Sequence, residues 1–345
     1  MNRLLAISTA LLALATAAGA LDIDQGRLRL RLHAGIGRFA LFYLPDRPGA
    51  GYVPLLLDDD PRTTVLTVLE GNRAHTMGES SAFSEKLEKT ANGAEFVWAS
   101  KTLEVRESFG FVASAGSVLA DGLRIDISIR NVADAARTVG VRYLFDTRLG
   151  EDTGQHFWSP GVAKIDREHT LVPGDSEAFW VSAPAKGGEG LQVMVSGSGV
   201  TRPERVVFAN WKRLNENSWA YESASSRNFN QLPYSINDSA AAQYYGPRDL
   251  PAGQSMAVTL VIGLFNAQGF TAELADRATE VARLLEKATA ATVAVTDPAL
   301  ALKSDLETLD RLIAEIDRQL ASGQVSDTDL SLMEKLIADL LAKHK

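Results

Sequence analysis

The sequence predicts a mainly β protein, a large double-layer sandwich of antiparallel strands, with an α-helical hairpin or three-helix segment closing the chain. Three observations carry this. From Leu21 to about Asn266 the chain reads as strands nearly throughout, with runs in which apolar residues recur at every second position, the period of strands with one face on a core. Asn92-Gly93 and Asp121-Gly122 stand between such runs as hairpin-turn signals, which favours antiparallel pairing. From Gly269 the apolar period lengthens to that of packed helices.

The N-terminus reads as a separate unit. Arg3 supplies a positive start, Leu4 to Ala18 is apolar, and Ala18-Gly19-Ala20 has the small-x-small form that signal peptidase cuts. The expected organisation is a signal peptide over 1–20, a β domain over 21–268 and a helical region over 269–345. Cleavage near Ala20 would leave a periplasmic or secreted chain beginning at Leu21. The apolar run falls short of the ~20 residues that span a bilayer, so no integral membrane segment is expected in the mature chain.

Leu28, Leu30 and Leu32 alternate with Arg27, Arg29 and Arg31, which puts arginines on the wet face of a first strand. Gly37 to Leu44 is its partner. Thr64 to Leu69 is rich in β-branched residues, and Phe96 to Ser100 follows the Asn-Gly turn. Leu103, Val105, Phe109 and Phe111 lead to Leu123, Ile125, Ile127 and Ile129, the cleanest alternation in the chain. Val139, Val141, Tyr143 and Phe145 repeat it, and Leu191 to Val195, Arg205 to Asn210, Ala240 to Tyr245 and Met256 to Phe265 complete the set. No helix-period segment lies among them. This is more than one immunoglobulin-sized sandwich of ~100 residues holds.

Beyond Gly269, Leu274, Ala278, Val281 and Leu285 form one apolar seam. Leu302, Leu306, Leu309, Ile313, Ile316 and Leu320 form a second with alternating steps of four and three. Asp297-Pro298 opens it and Gly323 ends it, and Ser326 begins a third carrying Leu330, Met333, Ile337 and Leu340. Packing on the sandwich or pairing with a partner would bury these seams.

A formal charge of -8 disfavours nucleic acid, because neutralising phosphates requires clustered Lys and Arg. Absence of cysteine removes disulfides, Cys-zinc sites and Cys nucleophiles. Neither a nucleophile elbow, a His-Glu-x-x-His zinc motif, a phosphate loop nor an EF-hand spacing is present. Gly35, Gly37 and Ala40 match a dinucleotide fingerprint but lead into a strand, so a turn explains them better. Asp58, Asp59 and Asp60 read as a solvated turn rather than a calcium loop. No cofactor and no metal are expected.

Two stretches carry the polar and aromatic groups of a binding site. The strand ending at Phe145 runs into a loop with Asp146, Glu151, Asp152 and His156, and polar groups on a loop held by a rigid strand suit binding as well as tight turns. Between Phe208 and Tyr245 stand Trp211, Trp219, Tyr221, Tyr234, Tyr244 and Tyr245, interleaved with Asn210, Arg213, Asn215, Asn217, Asn228 and Gln243. Aromatic faces beside amides and a guanidinium suit a sugar ring, whose C–H face stacks while its hydroxyls take hydrogen bonds. The same aromatics would also fill a sandwich core. The two stretches are expected to meet at one end of the sheets.

The blocks VRYLFDTRLGEDTG, RVVFANWKRLNENSWAY and DSAAAQYYGPRDLPAGQSMAVTLVIGLF resemble those of uncharacterised exported bacterial proteins, spirochaetal ones among them. Their β domain is similar to the supersandwich of the galactose-mutarotase and carbohydrate-binding class, which implies a fold and a sugar ligand. Two functions follow. The first is a periplasmic or surface binding and structural module for a glycan or cell-envelope protein, assembling through its helices. The second is an aldose epimerase-like or polysaccharide-modifying enzyme, with His156 and a nearby carboxylate as acid and base. Convergence of His75 or His156 with two carboxylates in one concave pocket would favour the enzyme.

Overall fold

The computed structural model describes residues 20–46, 50–57, 61–90, 93–117, 119–147, 149–151, 154–174, 177–182 and 189–276. Among them the chain forms nineteen strands. The first four are β1 (Ala20–Gln25), β2 (Leu28–His33), β3 (Arg38–Tyr43) and β4 (Val53–Pro54). Next come β5 (Val65–Glu70), β6 (Arg73–Thr76), β7 (Ser84–Thr90), β8 (Gly93–Ala99), β9 (Leu103–Val112), β10 (Gly122–Asn131) and β11 (Arg137–Asp146). Four short strands follow: β12 (Phe157–Ser159), β13 (Val162–Ile165), β14 (His169–Leu171) and β15 (Phe179–Ser182). The last are β16 (Leu191–Met194), β17 (Arg205–Asn210), β18 (Ser239–Leu250) and β19 (Ser255–Leu264).

Every pairing among them is antiparallel, as the hairpin signals require. Three sheets result: β1-β2-β3-β4, β13-β12-β15-β16-β19-β10-β9-β8-β7 and β14-β17-β18-β11-β5-β6. The nine- and six-stranded sheets face each other. Phe96, Phe109 and Ile125 from one meet Val141, Tyr143, Phe145 and Phe208 from the other in one buried cluster. Phe39 of β3 joins the two layers, with ring centroids 5.3 Å from Phe109 and 6.4 Å from Tyr143. In β2 the leucines are buried and the arginines half-buried, as the alternation predicts. Arg29 and Arg31 make paired bonds to Asp24 and Asp22 across the β1–β2 hairpin.

Both large sheets also carry apolar residues on their outer faces. On the six-stranded sheet Val65, Leu144, Val207, Ala209, Ala240, Ala242 and Tyr244 point outward and are nevertheless buried. The segment between β17 and β18 covers them, with Leu214 and Tyr221 completing the cluster and Trp211 packed against it. Outward residues of the nine-stranded sheet, among them Val112, Val181 and Val261, are covered by Phe270 and Ala272.

The helical part of the expected architecture is corrected. Among the described residues the only helical elements are a 3-10 turn, Pro61–Thr63, and α1 (Trp211–Glu216), so the described chain is a β structure without a C-terminal helical hairpin. The segment in which the first apolar seam was expected to begin, at Leu274, is strapped to the sandwich instead. Ala272 N–H donates to Ser198 O at 3.1 Å and Ala275 N–H to Phe111 O at 2.8 Å, bonds that replace the intrahelical ones. The remaining positions of the expected helices, within 277–345, lie outside the described residues, as do the expected signal peptide up to residue 19 and Asp58, Asp59 and Asp60. A second correction is α1 itself, within a stretch whose sequence has no helical period. Six residues are too few to show one, and the helix begins because Asn210 caps it, its side-chain oxygen accepting from Arg213 N–H. Among the described residues no helix is long and apolar enough to cross a membrane.

Candidate functional site

Three adjacent strands converge at one end of the six-stranded sheet. β17 ends at Asn210, β18 begins at Ser239, its register partner, and β11 ends at Asp146, opposite Ala240. The loop after β11 and the long segment before β18 therefore leave the sheet side by side. The expectation that these stretches meet is met by direct contacts. Glu151 accepts the Ser239 N–H at 3.0 Å, and His156 Nδ1 lies 2.8 Å from Ser239 Oγ. The loop is tightly closed: a side chain on Gly150 would stand 2.6 Å from the His156 Cα.

Carboxylate oxygens of Asp146, Glu151 and Asp238 all lie within 4.8 Å of one another here. Asp146 is buried, with its N–H on Thr64 Oγ1 at 3.2 Å and its carbonyl accepting from Leu57 N–H. Burial pushes the Asp238 carboxyl above its ordinary value, partly offset by a bond from Ser235. The three could offer a hard cation three oxygens. A full shell of six to eight would need backbone carbonyls and water in addition.

Asn210 organises the neighbouring turn. Fully buried, it donates from Nδ2 to Phe229 O at 2.9 Å, Ser235 Oγ at 2.8 Å and Asp238 O at 3.1 Å. These bonds fix the turn 231–235, which Gln231 and Ser235 close with reciprocal backbone bonds. The turn and the residue after it hold Leu232, Tyr234 and Ile236 in solvent at 72%, 72% and 69% exposure. Scattered apolar residues are ordinary on a surface, but three large ones within five residues form a patch. The ammonium of Lys212 lies 5.3 Å from the Tyr234 ring centroid.

The other predicted site residues divide. Trp211 belongs to this end, its indole N–H donating to Thr63 O at 2.8 Å and its backbone N–H to Asp238 O at 3.1 Å. Arg213 is bonded to Glu168 and to the carbonyls of Asn228 and Asn230. Glu168 also accepts from Tyr221 Oη and Ala224 N–H, so the pair ties down the covering segment. Trp219 and Tyr244 lie further along the outer face, ring centroids 5.8 Å apart. Trp219 sits over Gly140, where a Cβ would come within 2.4 Å of its ring. Arg205 lies over Tyr244 at 4.4 Å, and the buried Arg142 donates to Leu214 O. Asp152 lies outside the described residues.

The histidines do not converge. His156 is buried against Phe229, centroids 4.6 Å apart, and burial lowers its pKa to about 4. It is therefore neutral at pH 7 and shielded from solvent. His75 lies beside Glu70 and pairs with Val68, which stands opposite Val141 in the middle of β11, five residues or ~17 Å along the strand from Asp146. Asp238, Leu232 and Ile236 were missed by sequence reasoning. The turn-forming Pro233 and Asn237 marked the segment as a loop, but no local signal told which side chains it exposes.

Comparison with protein-family models found no match, and comparison with curated proteins found none either. Among solved structures the chain is similar to a galactose mutarotase-related enzyme from Lactobacillus acidophilus, at 10% identity over 75% of this chain and 100% of that one, TM-score 0.44. It is similar to an aldose epimerase homologue from C. elegans, at 10% identity over 72% of this chain and 99% of the other, TM-score 0.46. A galactose mutarotase-like protein from Lactobacillus casei gives 10% identity, 72% and 100% coverage and a TM-score of 0.43. These are likenesses of strand layout between chains that share little sequence, and they carry nothing about activity.

Proposed function

We propose that this chain is an exported binding protein of the periplasm or cell surface, whose sandwich holds a carbohydrate at the end of the six-stranded sheet. The observation that carries the reading is the pinned turn, which holds Leu232, Tyr234 and Ile236 exposed beside the carboxylates of Asp146, Glu151 and Asp238. A ring such as Tyr234 stacks on the C–H face of a sugar, and carboxylates accept from its hydroxyls. A turn fixed in advance loses little entropy on binding. Binding is favoured over catalysis because His156 is buried and neutral and His75 is level with the middle of β11, two strands aside and five residues from Asp146. An acid–base pair must reach the substrate.

The test is a glycan-array screen of the full chain, peptidoglycan fragments included, against a Tyr234→Ala variant. The expected result is retention of a glycan by the native chain and its loss in the variant, with unchanged circular dichroism. Equal retention by both would refute the site. Turnover of an aldose by the native chain would favour the epimerase-like alternative.

A further inference from the structure

An open groove of about 710 Å³ lies at the other end of the sandwich. It is bounded by the β5–β6 turn, the loop before β9 and the start of β11, and Glu70, Arg73, His75, Lys101, Arg137 and Thr138 line it. Three cations therefore face one carboxylate in a chain whose formal charge is -8. Glu70 does not satisfy them. It stands 3.7 Å from Arg137 Nε and 3.8 Å from His75 Nε2, too far for a hydrogen bond to either. The buried Nε of Arg137 has no hydrogen-bond partner, and among the described residues Arg73 and Lys101, both exposed, make no ion pair. His75 adds no charge at neutral pH, because burial holds its imidazole below the ordinary value against the opposing pull of Glu70.

No Phe, Tyr or Trp lines this groove, so it lacks the stacking surface a neutral sugar would use. A guanidinium whose ion-pair partner Glu70 stands 3.7 Å off without a hydrogen bond, flanked by two further cations, instead matches the charge and geometry of a carboxylate or phosphate. The volume is within the range of small-molecule sites. We propose that the groove binds an anionic small molecule through a carboxylate or phosphate group, with Arg137 as the bidentate partner and Arg73 and Lys101 as flanking charges. The site is separate from the Tyr234 turn and does not rest on the carbohydrate reading.

The test is calorimetric titration of the full chain with inorganic phosphate, with glucuronate and with glucose as the neutral control. One of the two anions is expected to bind, progressively more weakly as salt is added, while glucose gives no heat. Arg137→Gln should weaken binding about tenfold or more, since one charge-assisted bond is worth about that factor. Arg73→Gln combined with Lys101→Met should weaken it comparably, and these two residues have no ion pair whose loss could disturb the fold. Lys89→Met, an exposed charge on β7, should leave it unchanged. Whichever anion binds more tightly identifies the acid group, and either result supports the proposal. Silence with both anions, equal binding of glucose, or native affinity in Arg137→Gln would overturn it.

Discussion

Glu107 lies on the inward face of β9, in the interior between the sheets, with the apolar Val105 and Phe109 before and after it on the same face. Tyr143 from the facing sheet donates to its Oε1 at 2.5 Å. Burial raises its pKa from 4.5 to about 7, against the lowering effects of the Tyr143 bond and of Arg38, while Glu85 adds to the rise. A carboxyl with a raised folded pKa binds more protons folded than unfolded. Its contribution to stability is therefore complete below pH ~4.5 and is lost as pH rises through about 7. At ~1.36 kcal/mol per pH unit, the loss between those limits is roughly 3 kcal/mol. His156 tilts the profile the other way, since its folded pKa of about 4 makes the protein less stable as pH falls from 6.5. The native profile thus mixes two opposed slopes. Glu107→Gln separates them, because the amide oxygen still accepts from Tyr143 and the variant keeps His156. Urea unfolding, followed by tryptophan fluorescence from pH 5 to pH 8, should show the variant gaining on the native protein by roughly 3 kcal/mol across that range. The trend is the readout, since any fixed cost of the new amide is the same at both ends. A gap between the two proteins identical at pH 5 and pH 8 would refute a buried, proton-binding Glu107.

Two further outcomes follow from packing and hydrogen bonding. Asn210→Ala removes a fully buried amide that serves three acceptors and caps α1, and should cost about 2–3 kcal/mol, with faster amide exchange confined to residues 229–239. Gly140→Ala places a methyl 2.4 Å from the Trp219 ring, so the indole must move; a cost of about 1–3 kcal/mol and a red shift of tryptophan emission are expected, and an unshifted spectrum would count against the contact.

Local pattern was sufficient where a strand is long and has one dry face. The alternation of leucine and arginine in β2, and the run Leu123 to Ile129 in β10, described both the element and its buried side. Arg205 to Asn210 had the observed bounds of β17. The short strands β12 to β15 were not legible, because three or four residues display little period, and β16, equally short, was read only as part of the run Leu191 to Val195. Nor could the residues between β17 and β18 announce that they cover an outer sheet face. Their aromatics fitted a core and a sugar site equally well by composition. In the fold Trp211 and Tyr221 pack on that outer cluster, while Tyr234 alone of the six named aromatics is left in solvent.

Sequence by itself determined the antiparallel β class and the inward faces of β2, β9, β10 and β11. Tertiary structure alone decided that Tyr143 faces Glu107, that Asp238 joins Asp146 and Glu151, and that His75 stands level with Val141 while His156 meets Ser239 at the end of the sheet. The physical reason is that side-chain period records which face of a strand avoids water, whereas strand order and register depend on pairing energies between segments as far apart as Asp146 and Ala240. The helical tail marks the same boundary from the other side. A seam beginning at Leu274 reads as helix in isolation, yet the described backbone on either side of that residue, at Ala272 and Ala275, is hydrogen-bonded to Ser198 and Phe111, partners that no local pattern reveals.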